Sequence, residues 1–354
     1  MYTIKDVAKR AGVSVATVSR VLNGTETVRE QTRRQVEEAI EALQYSPNGL
    51  GRNLRRLETK KILVVLSTIS NQFHSRIVRG IEDRAAEHGY TVLIGTTRDR
   101  LETLLRYFEM IQTREVDGAI FMSTHFCKPE EADFLTQAYP IVCACEPMPD
   151  GRIPYVGIDD EQAARDAAGY LVSCGHKRIG LICGGKLTRD TYGSSYLREK
   201  GFRKVMEENG LPLLEADIFR EGLTYNSGKR AAQQMVRQEG LPDAVFACSD
   251  AAALGLIREL YTNGYTVPGD ISVMGFDNTA MSEVFYPSVT TVSQPQYEIG
   301  CQAMELLLAR IAGKEGERRL LPHEIICRES TRSKKAKPES FAACTNVPIS
   351  TSEA

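Results

Sequence analysis

Residues 3–23 read Thr3-Ile4-Lys5-Asp6-Val7-Ala8-Lys9-Arg10-Ala11-Gly12-Val13-Ser14-Val15-Ala16-Thr17-Val18-Ser19-Arg20-Val21-Leu22-Asn23. This stretch predicts two short helices that meet at a tight turn. Gly12 suits the positive φ that ends a first helix, and Ser14 is a good N-cap for a second. Val18, Val21 and Leu22 repeat at helical spacing and are expected to face a small core. We therefore predict an all-α helix-turn-helix at this end of the chain.

The second predicted helix presents small side chains and one arginine to solvent. Arg20 can pair with guanine O6 and N7 in the major groove, whereas Val15 and Ala16 can only pack on base edges such as thymine methyls. Short polar side chains suit phosphate contacts that set register; these are Ser14, Thr17, Ser19 and Asn23. We interpret residues 1–46 as a DNA-binding headpiece. The alternative is a solvated helical hairpin without a ligand.

A third helix is predicted from about Glu30 to Gln44. Residues 1–60 carry eleven Lys and Arg against seven Asp and Glu, a net charge of +4, although the whole chain has a net charge of −2. A basic end on an otherwise acidic protein favours nucleic acid as its partner.

The headpiece resembles that of the LacI/GalR family of bacterial transcription regulators. The resemblance rests on Thr3, Asp6-Val7-Ala8, Gly12-Val13-Ser14, Thr17-Val18-Ser19-Arg20-Val21, Asn23, Thr32-Arg33, Tyr45, Pro47-Asn48 and Leu54. It implies that residues 47–59 are a hinge that becomes helical on operator DNA, with Leu54 wedged between central base pairs. Composition alone predicts a plain linker there. The expected DNA contacts are Thr3, Ser14, Val15, Ala16, Thr17, Ser19, Arg20, Asn23, Thr32, Tyr45, Asn48, Arg52 and Leu54.

From Lys60 onward, continuous apolar runs alternate with amphipathic helical patterns, which is typical of parallel α/β structure. Four runs predict the sheet of a first lobe: 62–66, 91–94, 118–122 and 141–144. Three runs predict a second sheet: 178–183, 244–247 and 271–275. Two such lobes enclose a cleft, and ligands of open α/β sheets bind outside the carboxyl ends of the strands.

This body resembles the two-lobed, periplasmic-binding-protein-like (type I) effector domain of the same family, so the resemblance covers about residues 2–332. It implies an effector-binding and dimerisation domain over 60–332. The first lobe is expected to comprise about 60–158 and 293–321, and the second about 159–290 and 322–332. Residues 333–354 are polar, lack leucine heptads and predict a disordered tail, so a homodimer is expected rather than a tetramer.

Candidate effector contacts follow the strand ends or lie in family motifs. Arg198 matches an Arg-x-x-Gly-Phe arginine that holds effector hydroxyls or a carboxylate in the family, and Asp277 matches an aspartate that anchors polar groups. The full set is Phe73, Ser123, Glu146, Arg198, Ser249, Asp250, Asp277 and Gln294. Each type of residue also has an alternative role. Phe73 could pack in the core, Asp250 and Asp277 could be N-caps of helices, and Arg198 could be a solvated helix residue. Together these residues favour a small polar effector. Sugars and sugar phosphates are the favoured class, and nucleosides are an alternative.

Taken together, these features predict a cytoplasmic, sequence-specific regulator that binds a palindromic operator as a homodimer. We expect it to repress transcription and to respond to a small effector. Similarity to the catabolite control protein A branch, in stretches such as Ile158-Asp159-Asp160-Glu161, leaves a serine-phosphorylated phosphocarrier protein open as corepressor. Glu305 argues against this partner, because it stands where that branch has an arginine and would repel a phosphate. A sugar-binding receptor without a regulatory role is a more distant alternative.

Enzymatic motifs are weak. Residues 180–187 approximate a phosphate-binding loop, but Leu187 stands where the motif needs Ser or Thr for Mg²⁺. The histidines show no metal spacing. Cys143 and Cys145 are expected on one face of a strand as buried thiols. We therefore expect no enzyme activity, cofactor, metal, signal peptide or membrane span.

Overall fold

A computed structural model describes residues 2–22, 28–45, 58–98, 100–123, 139–147, 153–184 and 193–334. The chain divides into two compact units, Met1–Thr59 and Lys60–Ala354. Within the described ranges, no helix is long and apolar enough to cross a membrane. Almost all of the predicted hinge and tail, including Asn48, Arg52 and Leu54, lies outside the described residues, as does Asn23.

The described residues of the first unit form three helices, as predicted. They are α1 (Ile4–Ala11), α2 (Val15–Leu22) and α3 (Glu30–Ala42). Gly12 adopts φ 67° and its amide bonds back to the Ala8 carbonyl, which ends α1. Val7, Val18 and Val36 are fully buried where the three helices meet. The third helix ends two residues before the predicted Gln44, because Gln44 itself turns to φ 43°.

The second unit contains two six-stranded sheets. The first has the order β11-β5-β4-β3-β1-β2 and is parallel throughout. Its strands are β1 (Lys61–Leu66), β2 (Thr91–Thr96), β3 (Gly118–Phe121), β4 (Ile141–Ala144), β5 (Tyr155–Gly157) and β11 (Arg318–Leu320). Its helices are α4 (Gln72–Glu87), α5 (Leu101–Gln112) and α11 (Gln296–Ile311). We call this sheet with its helices the first lobe.

The second sheet has the order β12-β10-β9-β8-β6-β7, with β12 antiparallel and the others parallel. Its strands are β6 (Ile179–Ile182), β7 (Ile218–Phe219), β8 (Ala244–Ala247), β9 (Ser272–Asp277), β10 (Thr290–Ser293) and β12 (Glu324–Ile326). The helices of this second lobe are α6 (Asp160–Ser173), α7 (Ser194–Glu208), α8 (Tyr225–Met235), α9 (Asp250–Thr262) and α10 (Ala280–Val284). All seven predicted strands are present, and five short ones were missed.

The chain passes between the two lobes three times: after β5, after β10 and after β11. The second passage delivers α11 back to the first lobe, where it crosses α4 at two glycines. A Cβ on Gly80 would lie 2.2 Å from the Tyr297 carbonyl oxygen, and one on Gly300 would lie 2.1 Å from that of Ile77. Only glycine permits this close crossing.

Two expectations about the body need correction. Cys145 does not share a face with Cys143: Cys143 packs on one side of the first sheet and Cys145 on the other. The strand ends at Ala144 and Cys145 takes φ 67°, which breaks the alternation. The predicted disordered tail also begins too early, because the Lys334 amide donates to the Cys174 carbonyl at 2.8 Å.

Candidate functional site

Helix α2 presents the predicted DNA-reading face. Val15, Ala16 and Arg20 are exposed, whereas Thr17 and Ser19 are half-buried. Ser14 is the N-cap of α2: its hydroxyl accepts from the Thr17 amide at 3.1 Å and lies 2.9 Å from the Thr17 hydroxyl. The Ser14 and Thr17 hydroxyls therefore fix the start of α2. Arg20, Val15 and Ala16 lie on the exposed surface of this helix.

The other headpiece residues have mixed roles. Thr3 is exposed, and its amide and hydroxyl each donate to the Asp6 carboxylate at 2.7 Å, which lowers the pKa of Asp6. Tyr45 is half-buried and packs against the headpiece core. Thr32 is half-buried on α3. Thr3 thus stabilises the start of α1 while remaining on the surface.

Arg198 lies at the centre of the cleft side of the second lobe. It projects from α7 and is 5% exposed. Its Nε donates to Asp160 Oδ1 at 2.8 Å and its Nη1 donates to the Cys248 carbonyl at 2.7 Å. The guanidinium lies 3.7 Å from the centroid of the Phe276 ring. Burial opposes the charge, but the carboxylates of Asp160 and Asp277 outweigh it and raise the pKa of Arg198.

Asp160 is the site residue that sequence reasoning missed. It is 2% exposed, and burial raises its pKa to about 6 despite the contact with Arg198. The preceding Asp159 caps α6 by accepting from the Gln162 amide at 3.0 Å. A helix needs only one capping aspartate, and Asp159 fills that role. The second consecutive aspartate, Asp160, was therefore the sequence signal for a further polar site residue.

Asp277 ends β9 with unusual backbone geometry. Its φ is 120°, a region that residues with a Cβ rarely adopt. Its Oδ1 accepts from Gln294 Nε2 at 2.9 Å, and its carbonyl accepts from Gln296 Nε2 at 2.5 Å. Burial, more than any neighbouring charge, holds the pKa of Asp277 well above its usual range. Backbone strain of this kind concentrates at ligand sites.

Glu146 reaches across the cleft. It follows β4 of the first lobe, and it accepts from Ser194, the first residue of α7 in the second lobe. Glu146 Oε2 accepts from the Ser194 amide at 3.0 Å and Oε1 accepts from the Ser194 hydroxyl at 2.6 Å. A carboxylate at a helix N-terminus meets free amides and the positive end of the helix dipole.

Three predicted contacts, Asp250, Ser249 and Phe73, are engaged with other parts of the protein. Asp250 is fully buried, accepting from the Thr291 hydroxyl at 2.6 Å and from the Thr279 amide and hydroxyl at 2.7 and 3.0 Å. Ser249 caps α9 and donates to a backbone carbonyl. Phe73 is 6% exposed in the first-lobe core. These residues make contacts within the protein, and their role as effector contacts stays a prediction.

The cleft therefore brings together Glu146, Asp160, Arg198, Asp277 and Gln294. Ser123, at the end of β3, is 4% exposed, and its hydroxyl has no hydrogen-bond partner among the described residues. In the part of the chain that the structure describes, no group of three or more His, Cys, Asp or Glu side chains is arranged to hold a metal ion. The arrangement is suited to hydrogen bonding with a polar molecule.

Two family models match the chain. "Bacterial regulatory proteins, lacI family" matches residues 3–48, and "Periplasmic binding protein-like domain" matches residues 168–331. The HTH-type transcriptional repressor CytR of Escherichia coli K12 is 38% identical over 333 residues, covering 94% of this chain and 96% of the relative. "Catabolite control protein A" of Priestia megaterium is 36% identical over 332 residues, covering 93% and 99%. These relatives are transcriptional regulators, not enzymes.

Solved structures agree. The lac repressor dimer bound to operator and the anti-inducer ONPF superposes with a TM-score of 0.82 at 27% identity, covering 94% of this chain and 99% of that one. A complex of the transcriptional regulator CelR with cellobiose gives a TM-score of 0.70 at 31% identity, covering 93% and 100%. Headpiece, body and chain length all match, and the chain belongs to the LacI/GalR family of DNA-binding transcriptional regulators.

Proposed function

We propose that this regulator is a repressor whose affinity for a palindromic operator is set by a small polar effector bound in the interlobe cleft. The observation that carries the proposal is the buried cluster of Arg198, Asp160 and Asp277 at the carboxyl ends of the second-lobe strands. Buried charges are costly unless paired or needed for a ligand, and such clusters mark binding sites. Repression is supported by the relative that is named as a repressor.

The operator contacts are proposed to come from the exposed face of α2 and from the hinge. The related lac repressor structure is a dimer bound to operator. We extend that assembly to this chain, in the bacterial cytoplasm where operator DNA lies. Ile77, Ile81 and Leu306 are fully or almost fully buried in the first-lobe core, so we propose that the dimer uses other surfaces of the first lobe.

The effector is proposed to bear several hydroxyl groups, as a sugar or a nucleoside does. The related CelR structure holds cellobiose. Arg198, Asp160 and Asp277 offer charged donors and acceptors in one buried group, and charge-assisted bonds to hydroxyls are strong there. Binding of such a ligand between two lobes can shift their relative orientation and couple effector to operator by about 1 to 3 kcal/mol.

The test has two stages. Thermal unfolding of the full chain is measured against sugars, sugar phosphates and nucleosides, because a ligand specific to the folded state raises the melting temperature. An operator selected from random duplexes is then titrated with and without the best ligand. We expect operator affinity to change about 5- to 150-fold. A chain that selects no duplex sequence would refute the proposal, as would an operator affinity that no stabilising ligand changes.

We do not extend the proposal to a phosphorylated carrier protein as corepressor. Glu305 lies on α11, paired with Arg84 and, at 3.8 Å, with Arg319. Both arginines also bond other carboxylates, those of Glu87 and Glu317. Because these guanidinium groups are already matched by carboxylates, we expect no binding of serine-phosphorylated carrier to the immobilised regulator at micromolar concentration.

A further inference from the structure

We propose that the cleft selects an uncharged, hydroxyl-bearing ligand and rejects the phosphate ester of the same ligand. The inference rests on the proposed function and narrows the effector class. It follows from three features of the cleft: the balance of charge, the occupant of the α7 N-terminus and the hydrogen-bond groups that lack partners.

The charge balance of the cleft disfavours an anion. Asp160 and Asp277 are the carboxyl groups that act on the guanidinium of Arg198, and Glu146 acts in turn on Asp160. Arg198 already pairs with Asp160 through Nε at 2.8 Å and with the Cys248 carbonyl through Nη1 at 2.7 Å. A phosphate dianion entering this cluster would meet an arginine whose charge is already paired with a carboxyl group, in a buried, weakly screened setting.

The N-terminus of α7, where a phosphate group would be expected to bind, is already occupied by the Glu146 carboxylate. The N-terminus of α7 faces the cleft, and helix N-termini are favourable sites for phosphate groups. Here the Glu146 carboxylate accepts both the amide and the hydroxyl of Ser194, at 3.0 and 2.6 Å. A ligand phosphate would have to displace a carboxylate that the opposite lobe supplies.

The groups without partners suit hydroxyls instead. Gln296 is 3% exposed, its Nε2 donates to the Asp277 carbonyl, and its Oε1 has no partner among the described residues. This buried acceptor next to Asp277 requires a donor. The Ser123 hydroxyl, similarly buried at the end of β3, is unpartnered within the same described ranges. A ligand hydroxyl donates and accepts, whereas a phosphate dianion offers only acceptors.

The protonation behaviour of the cluster points the same way. Burial raises the pKa of Asp160 to about 6 and holds the pKa of Asp277 well above its usual range. In each carboxyl group, burial acts more strongly than Arg198, and Glu146 further raises the pKa of Asp160. A site that resists the ionisation of its own carboxyl groups resists an added anion for the same reason.

The first experiment uses inorganic phosphate, so it does not depend on knowing the effector. Calorimetric titration at constant ionic strength compares the wild-type chain with Glu146→Ala and with Glu239→Ala, an exposed carboxylate removed as a charge-matched control. We expect saturable phosphate binding only in Glu146→Ala. Saturable binding by the wild type would overturn the inference, as would no gain in Glu146→Ala. If the alanine variant fails to fold, Glu146→Gln keeps a neutral acceptor for Ser194 but removes the negative charge, so it should still bind phosphate more tightly than the wild type, and no gain in it would overturn the inference.

The second experiment compares matched ligands on the wild-type chain: glucose with glucose 6-phosphate, and adenosine with adenosine 5′-monophosphate, with cellobiose as an unphosphorylated disaccharide. For any pair that binds, we expect the uncharged member to bind at least about tenfold tighter. A phosphate ester that matches or exceeds its partner overturns the inference and leaves the proposed function standing. A chain that responds to no ligand defeats the proposed function, and the phosphate titration still decides the charge preference.

Discussion

The DNA-reading face of α2 and the interlobe cleft are built in opposite ways. On α2, Arg20 and Val15 are exposed on a helix whose start is fixed by Ser14 and Thr17, its neighbours in sequence. In the cleft, Arg198 is 5% exposed and bonds to residues 38 and 50 positions away in the chain. A substitution on the first surface should change recognition without changing stability, whereas a substitution in the second should change both. Four measurements test that contrast.

The largest effect is expected for Arg198→Ala. Removal of the guanidinium leaves Asp160 buried without its charged partner, which typically costs about 3 to 5 kcal/mol. Urea unfolding of the full chain should show this loss together with loss of effector response. Arg237→Ala, an exposed arginine removed from the same lobe, should change stability by no more than about 0.5 kcal/mol. An Arg198→Ala protein of wild-type stability would break the contrast.

The next effect is a pH dependence of stability that Asp160→Asn should remove. The folded-state pKa of Asp160 is about 6, above its ordinary 3.8, so the folded state holds this proton more tightly than the unfolded state. The resulting stabilisation is complete below about pH 4 and is lost as pH rises through 6, a change of about 3 kcal/mol. The stability difference between wild type and Asp160→Asn should therefore favour the wild type more at pH 4 than at pH 7. A difference that stays constant with pH contradicts this assignment.

Arg20→Ala tests the exposed surface. Loss of one bidentate base contact costs about 1 to 3 kcal/mol, so the preference for operator over scrambled duplex should fall about 5- to 150-fold in a binding titration. Thermal unfolding should be unchanged. Arg34→Ala removes the same charge from α3, where Arg34 pairs with Glu30 at 3.6 Å, and should leave the sequence preference intact. Equal loss of preference in both variants would show that Arg20 acts through charge alone.

The smallest effect is expected for Ser14, where two substitutions distinguish a role in helix capping from a role in DNA binding. Ser14→Ala removes the cap that bonds the Thr17 amide and should cost the headpiece about 1 kcal/mol. Ser14→Asp should restore stability, because aspartate caps equally well, but its carboxylate should weaken DNA binding. If Ser14→Asp recovers both properties, Ser14 does not lie near phosphate.

The contrast also explains what the sequence could predict. Gly12 and Ser14 determine their helix ends through bonds to residues three or four positions away, so local patterns were sufficient. The long buried strands were equally clear as apolar runs. β11 and β12 were missed because Arg318–Leu320 and Glu324–Ile326 are short and half-polar, and only the neighbouring strands make them extended.

The cleft was only partly predictable. Arg198 could be found through its motif, whereas its partner Asp160 was signalled only by a second acidic residue next to a helix cap, and that signal does not say what the residue contacts. Asp250 illustrates the converse. It follows a strand end as a ligand contact would, yet both its oxygens accept bonds from Thr279 and Thr291. Which strand-end carboxylate faces a ligand depends on side chains distant in sequence.

The return of α11 to the first lobe has a consequence for synthesis. Ile77 and Ile81 on α4 are fully buried in the cluster that α11 completes, yet α11 is made more than two hundred residues later. At about 5 to 20 residues per second, ribosomes leave that apolar surface uncovered for on the order of ten seconds or more. The amino-terminal half of the body must therefore wait for the rest of the chain, and during this interval it is a natural client for chaperones.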